Sequence, residues 1–342
     1  MRLRTLFMLI LSILWAAPAN AKLNVVTTMS DFASIVREIG GDLVTVSHLV
    51  DGDQDPHFVR PKPSLAQRLA KADLLIATGM DLEMWLPSII DKSGNARIRE
   101  GQIGYVAVSD GIQPIEIPRT VDRSMGDVHV KGNPHIHTSP VNMRIVARNI
   151  TIGLIKVDSE NKAIYEKNLK TFETKLYRHL FGSRLIKLIG GKRLCKLAGQ
   201  GKLISFLEKR KYKGAPMIDL LGGWMKRALP LRNRKVITYH KNWGYFVKIV
   251  GLQVVGELEA KPGIPPSPGD VKRTIDLMNR LGVKVVFVAN YFDHTKVERV
   301  CDAVKATPVI VPLSVGGGPG VDDYFKLIDN WVDRLLQAYG EK

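Results

Sequence analysis

The stretch SENKAIYEKNLKTFETKLYRHLFG, residues 159–182, decides the fold that we predict for this chain. Its large apolar side chains recur every three or four residues, which is the spacing of one face of an α-helix. They are Tyr165, Leu169, Phe172, Leu176 and Leu180. Ser159, with Lys162 behind it, opens the stretch as the start signal of a helix does. We therefore predict one long helix that connects two lobes as a rigid strut.

Short apolar runs alternate with helical patterns on both sides of this helix. Before it, strands are predicted in LNVVTT (23–28), DLVTVSHLV (42–50), DLLIATG (73–79) and QIGYVAVSD (102–110). After it, they are predicted in KVITYH (235–240), LQVVGEL (252–258), VKVVFVAN (283–290) and TPVIVPL (307–313). Such alternation is typical of βαβ units. The predicted fold class is α/β, with two lobes that each have a mostly parallel sheet flanked by helices.

The first 21 residues have the pattern of a secretory signal peptide. Arg2 and Arg4 precede a short apolar run, and Ala19-Asn20-Ala21 offers a cleavage site. We therefore expect an N-terminal lobe at 22–158, a linking helix at 159–184 and a C-terminal lobe at 185–342. The expected location is the periplasm, and because no cysteine lies near the cleavage site, we expect no lipid anchor.

The chain is basic, with 50 lysines and arginines against 33 acidic residues and a formal net charge of +17. Export argues against nucleic acid as the partner. Much of the excess falls in a basic insertion at 185–233, which has two interpretations: a solvated face, or a surface that docks on a membrane or a partner. The two cysteines, Cys195 and Cys301, could pair in an oxidising compartment. Neither belongs to a C-x-x-C motif, which disfavours a zinc–thiolate site.

Three of the eight histidines lie where an open α/β sheet places its ligands, at or after the ends of strands. His57 follows the second strand in DGDQDPHFVRPKPS (51–64), and His240 ends the strand VITYH (236–240). His135 lies in GNPHIHTSP (132–140), a loop punctuated by prolines. His57 and His135 share a local pattern of a polar residue, then proline, then histidine.

Three neutral imidazoles with an open fourth position form a ligand set typical of zinc, whereas manganese favours carboxylates. We therefore predict a metal site made of His57, His135 and His240. His129 and His137 lie near this loop and are candidate ligands or entry residues. The alternative interpretation is that each histidine is structural, as we expect for His48, His179 and His294.

In these motifs the chain resembles the substrate-binding proteins of zinc and manganese ABC transporters. DPHFVRPKPSLAQRLAKADLLIATGMDLEMWL (55–86) is similar to the family's first-ligand segment, NPHIHTSP (133–140) to its second and VITYHKNWGYF (236–246) to its third. The resemblance covers nearly all of the mature chain apart from roughly 185–233. It implies two α/β lobes joined by a long helix, with His57, His135 and His240 as the ligands.

The resemblance further implies high-affinity capture of a divalent transition metal, zinc rather than manganese (Zn2+ rather than Mn2+), and its delivery to the membrane permease of an ABC transporter. The chain would act as a monomer and would not be an enzyme. The late aspartate of some members has no counterpart in VPLSVGGG (311–318), so water, Asp322, Asp323 or His137 is the candidate fourth ligand. The rival function is a secreted zinc-dependent metallohydrolase that uses the H-x-H motif.

Overall fold

The computed structural model describes residues 22–118, 120, 129–259, 261 and 263–341. The predicted signal peptide therefore lies outside the part of the chain that is described. Between these limits the chain forms two sheets of four strands each and a small two-stranded hairpin.

The first sheet is entirely parallel, with the strand order β2-β1-β3-β4. Its strands are β1 (Leu23–Met29), β2 (Val44–Val50), β3 (Leu74–Ala77) and β4 (Tyr105–Ala107). The accompanying helices are α1 (Ser30–Gly40), α2 (Pro63–Ala70), α3 (Leu86–Ser93) and α4 (Met143–Val157). The central strands β1 and β3 are apolar and buried, as a parallel sheet covered on both faces requires.

A long helix, α5 (Lys162–Phe181), follows α4. It packs against α1 and α4 at its first part and against α9 (Gly223–Arg227) at its end, so it lies along both halves of the molecule. The predicted helix is confirmed, except that Ser159–Asn161 forms a separate 3-10 turn before it. The domain bounds themselves stay a prediction.

Short elements fill the chain between α5 and the second sheet. They are α6 (Ser183–Ile189), α7 (Gly191–Gly199), α8 (Leu203–Glu208), β5 (Lys211–Tyr212) and β6 (Ala215–Pro216), followed by α9. β5 and β6 pair as an antiparallel hairpin. Cys195 lies in α7 and is buried and free, as is Cys301, so the two cysteines do not form the disulfide that the sequence left open.

The second sheet repeats the architecture of the first, with the parallel strand order β10-β9-β7-β8. Its strands are β7 (Lys235–Thr238), β8 (Gln253–Glu257), β9 (Val285–Ala289) and β10 (Thr307–Val311). Its helices are α10 (Gly244–Val250), α11 (Pro268–Leu281), α12 (His294–Val304) and α13 (Tyr324–Ala338). Two parallel-sheet lobes flanked by helices confirm the predicted fold class.

One apolar core runs through both lobes beneath α5. Phe172 of α5 packs on Phe325 of α13, with ring centroids 5.8 Å apart, and Trp331 meets Trp243 edge to face at 4.9 Å. Smaller clusters cover the outer face of each sheet. Because the central core is continuous, α5 is fastened to both lobes by burial of apolar surface.

The lobes also touch through their backbones. A Cβ on Gly52, which follows β2, would lie 2.3 Å from the carbonyl oxygen of Val315, so only glycine fits there. Nearby, the buried carboxylate of Asp31 in α1 accepts the Val315 N–H at 3.3 Å. These contacts hold the loop after β10 against the first lobe. No helix in the described ranges is long and apolar enough to cross a membrane.

Candidate metal centre

His57 is held by a turn that its own neighbours build. Oδ1 of Asp55 accepts the backbone N–H of His57 at 3.0 Å and lies 2.7 Å from its ring Nδ1. Trp85 fixes the same turn by donating its indole N–H to the Pro56 carbonyl at 2.8 Å. The Asp55 carboxylate therefore orients the imidazole and leaves Nε2 free to bind.

His135 is held by a second copy of this turn. Oδ1 of Asn133 accepts the backbone N–H of His135 at 2.9 Å and lies 2.8 Å from Nδ1. The Asn133 side chain also donates to the carbonyl of Lys241 at 2.7 Å, and Tyr245 donates to the Asn133 carbonyl at 2.8 Å. The partners in these two bonds, Lys241 and Tyr245, both belong to the second lobe, so the turn is fixed by both lobes.

His240 follows β7 and is oriented by a residue from the neighbouring strand. Its Nδ1 lies 2.6 Å from Oε2 of Glu259, which follows β8. Both side chains are buried. Parallel pairing of β7 and β8 puts the two residues at the same end of the sheet.

The three imidazoles converge. His57, His135 and His240 each offer a ring nitrogen, and these atoms lie within 4.8 Å of one another. Their ring centroids are 5.0, 5.6 and 5.5 Å apart. Every Nδ1 has an oxygen partner, so Nε2 is the nitrogen presented to the centre. Nε2 of His240 is buried and has no hydrogen-bond partner among the described residues. Outer oxygens that fix the tautomer of each ring are typical of metal-binding histidines.

Burial sets the charge of this cluster. Desolvation, helped by the nearby His57 and His240 rings, lowers the pKa of His135 well below its ordinary value. Burial alone would raise the pKa of the Asp55 carboxyl, but hydrogen bonds from His57 outweigh it and hold that pKa low. A neutral imidazole beside an ionised carboxylate is the state that binds a cation.

Two further histidines flank the three. Nε2 of His129 lies 3.1 Å from Nε2 of His57, with the two rings stacked at 5.2 Å. His137 is fully buried 6.2 Å from the His135 ring, and neither of its nitrogens has a hydrogen-bond partner among the residues described. Burial lowers the pKa of His129 to about 4 and that of His137 to about 3, so both are neutral at pH 7.

The two aspartates considered as a fourth ligand are engaged elsewhere. Asp322 pairs with Lys326 at 2.7 Å, and Asp323 caps α13 by accepting the N–H groups of Phe325 and Lys326. The site itself opens into a cavity of about 310 Å³ whose lining includes Phe58, Tyr291 and Phe292. The cleft between the lobes can therefore admit a small ion to the three nitrogens.

Three inward imidazoles between two parallel-sheet lobes are found in a chain that matches a known protein family. The family model described as zinc-uptake complex component A, periplasmic (ZnuA) matches residues 25–179 and 217–338. The chain belongs to this family. Its members are substrate-binding proteins of metal ABC transporters, which confirms the family resemblance.

Some relatives match nearly the whole chain, and others match only about half of it. The manganese ABC transporter substrate-binding lipoprotein PsaA of Streptococcus anginosus is 33% identical over 330 residues, 94% of this chain and 91% of that protein. PsaA of Streptococcus pneumoniae serotype 4 is 34% identical over 94% of this chain and 90% of its own. The manganese lipoprotein scaA of Streptococcus gordonii is 36% identical, but the match spans only 46% of this chain and about half, 49%, of the relative.

A solved structure supports the fold. The crystal structure of ZnuA superposes with a TM-score of 0.67 and 21% identity, and covers 93% of this chain and 99% of that one. The ZnuA-like fold of two lobes is thus shared over nearly the whole chain.

The relatives bear on two expectations from the sequence, the absence of a lipid anchor and the absence of enzyme activity. The expected free protein without a lipid anchor is wrong, because the full-length relatives are named lipoproteins. That expectation used only the missing cysteine near Ala21, in a segment outside the described structure. The family consists of binding proteins, so the expectation that the chain is not an enzyme is confirmed and the metallohydrolase alternative is unsupported.

We expect Glu259→Gln to weaken metal binding by about 10–100-fold, because the amide keeps the shape but removes the negative charge that polarises His240. Competition titration against a chelator of known affinity would measure this. Glu298→Gln, on the exposed face of α12, is the matched control and should bind as the parent does. Equal affinity of both variants would show that Glu259 only packs against the ring.

Proposed function

We propose that the protein captures a zinc ion between its lobes through His57, His135 and His240 and hands it to the membrane permease of an ABC transporter. One observation carries the proposal. Three buried or nearly buried imidazoles from distant segments present their Nε2 atoms to one point, each with Nδ1 bonded to an oxygen. Such an arrangement pre-organises a cation site and has no evident use in folding alone.

Zinc is favoured over manganese by the chemistry of the donors. The nearby carboxylates of Asp55 and Glu259 accept hydrogen bonds from the rings, so nitrogen is the atom turned to the centre. Neutral imidazole suits zinc, whereas manganese prefers carboxylate and water oxygens. Because two relatives are named as manganese transporters, the titration described below compares the zinc affinity directly with the manganese affinity.

His129 supports the same preference as a fourth nitrogen donor. In a tetrahedral zinc site with Zn–N bonds of about 2.0 Å, two ligand nitrogens lie ~3.3 Å apart. The distance of 3.1 Å between Nε2 of His129 and Nε2 of His57 is close to this nitrogen–nitrogen separation. We therefore place His129 ahead of His137 and of the two engaged aspartates.

The whole three-histidine site lies within one copy of the chain, which supports a monomer as the working form. Two ligands come from segments before α5 and one from a segment after it. This distribution supports the proposed division into an N-terminal lobe at 22–158, a linking helix at 159–184 and a C-terminal lobe at 185–342.

Calorimetric titration of the metal-stripped chain with zinc and with manganese tests the proposal. We expect one zinc ion per chain and a zinc affinity higher than the manganese affinity. His129→Ala should reduce the zinc affinity, while His294→Ala, an exposed histidine at the start of α12, should not. Manganese binding that equals or exceeds zinc binding would refute the assignment of the cargo.

A further inference from the structure

The stretch 180–216, which overlaps the basic insertion predicted at 185–233, carries most of the charge excess and no part of the metal site. Residues 180–216 are the internal stretch that the family model leaves unmatched. This stretch contains ten lysines and arginines against one acid, Glu208, so it supplies nine of the formal +17. The family's shared function therefore does not account for these charges.

The cations of this stretch are all exposed, and the described part of the chain offers them no ion-pair partner. Each of the ten is solvent-exposed, and none forms an ion pair with a described carboxylate. The neighbouring pairs, Lys175 with Glu38 and Arg227 with Asp329, lie on either side of the stretch. A surface that only faces solvent can carry charges of both signs. A surface that binds a polyanion, in contrast, needs an excess of positive charge.

Helix α7 of this stretch is amphipathic, so its cations lie on its exposed face. In α7 the buried positions follow helical spacing: Gly191, Leu194, Cys195 and Ala198. Its cations, Lys192, Arg193 and Lys196, all fall on the opposite, exposed face. α7 in turn packs on α5, α6, α8 and α10, so its position on the molecule is fixed.

The hairpin β5–β6 adds an exposed aromatic side chain to the basic stretch. Tyr212 is 40% exposed between Lys211 and Lys213, and the Lys213 ammonium lies 5.7 Å from its ring centroid. Tyrosine and lysine side by side are typical of the boundary between lipid headgroups and water.

We propose that residues 183–213 form a surface that binds an anionic lipid bilayer. The proposal rests on delivery to a membrane permease, which brings the protein to a bilayer, and not on the identity of the metal. Exposed cations beside an exposed tyrosine match anionic lipid headgroups in charge and chemistry. Binding there would hold the protein close to its permease between deliveries.

Vesicle sedimentation of the full chain tests this surface. The vesicles are phosphatidylcholine alone, or seven parts phosphatidylcholine to three parts phosphatidylglycerol, at about 0.1 M salt, where screening is moderate. The wild type should prefer the anionic vesicles. The triple variant Lys192→Glu, Arg193→Glu, Lys196→Glu should lose about a hundredfold in affinity for them, from roughly fivefold per cation.

A matched control reverses three exposed cations of the first lobe: Lys71→Glu, Lys92→Glu and Arg97→Glu. It should bind anionic vesicles nearly as the wild type does. All three proteins share residues 1–21, so any vesicle binding by that segment is equal among them. Zinc titration of the α7 variant should match the wild type, which shows that the variant is folded.

Three results would overturn the lipid proposal. They are equal binding of the wild type to both vesicle types, unchanged binding of the α7 variant, and an equal loss in the control. Tighter binding to polyglutamate than to anionic vesicles would instead assign the surface to an acidic protein. Failure of zinc binding by the wild type refutes the proposed cargo and leaves the lipid result intact.

Discussion

The double variant His57→Ala, His240→Ala will lose tight zinc binding while its circular-dichroism spectrum stays that of the parent. Each substitution removes one of the three converging nitrogens, one from each side of the cleft. Loss of two direct ligands must exceed the ~10–100-fold effect of losing an outer partner. We therefore expect a fall in affinity of more than about a thousandfold by competition titration.

The control for this prediction is His48→Ala combined with His294→Ala. These histidines lie at exposed or partly exposed positions, with His48 paired to Asp51 and His294 to a backbone carbonyl. The control should keep the parent affinity. A double site variant that still binds zinc as tightly as the parent would place the metal elsewhere.

Replacement of Asp31 by asparagine will stabilise the metal-free protein at alkaline pH. Burial raises the pKa of the Asp31 carboxyl from 3.8 to about 7, against hydrogen bonds from Ser314 and Val315 that favour ionisation. Between these two values the folded chain holds a proton that the unfolded chain releases, so the unfolding free energy falls as pH rises through the window. The loss for this group is about 3 kcal/mol between pH 5 and pH 8.

Urea unfolding at pH 5 and pH 8 measures this effect. The Asp31→Asn variant lacks the titration, so its advantage over the parent should appear at pH 8 and be small at pH 5. Asp42→Asn, an exposed neighbour in the same region, is the control and should follow the parent at both pH values. Parallel behaviour of the Asp31 variant and the parent would mean that the carboxyl is already ionised in the fold.

The sequence predicts the fold well because its periodic patterns are local. Alternating strands and helices, and the stripe from Tyr165 to Leu180, need no knowledge of distant contacts. The shared Asp-Pro-His and Asn-Pro-His patterns likewise mark His57 and His135. The proline suggested a fixed direction, but the side chain before it proves decisive, since it accepts both the backbone and the ring N–H.

Other parts of the site depend on contacts that no local pattern carries. Glu259 lies nineteen residues beyond His240 and reaches it only because β7 and β8 are neighbours. The approach of His129 to His57 joins residues 72 positions apart. Asp322 and Asp323 were candidate ligands by sequence, but Asp322 forms an ion pair with Lys326 of α13 and Asp323 caps that helix.

The duplicated turn gives the first lobe a bidentate site, His57 and His135, whose rings are oriented before any ion binds. A metal held by His57 and His135 alone would dissociate quickly, and His240 closes the chelate only while the lobes are together. The effective concentration of this third nitrogen depends on the contacts that hold the lobes together, among them Gly52 against Val315, and it would govern the residence time of the ion. A permease that parts the lobes slightly would thus release its cargo without having to compete for it.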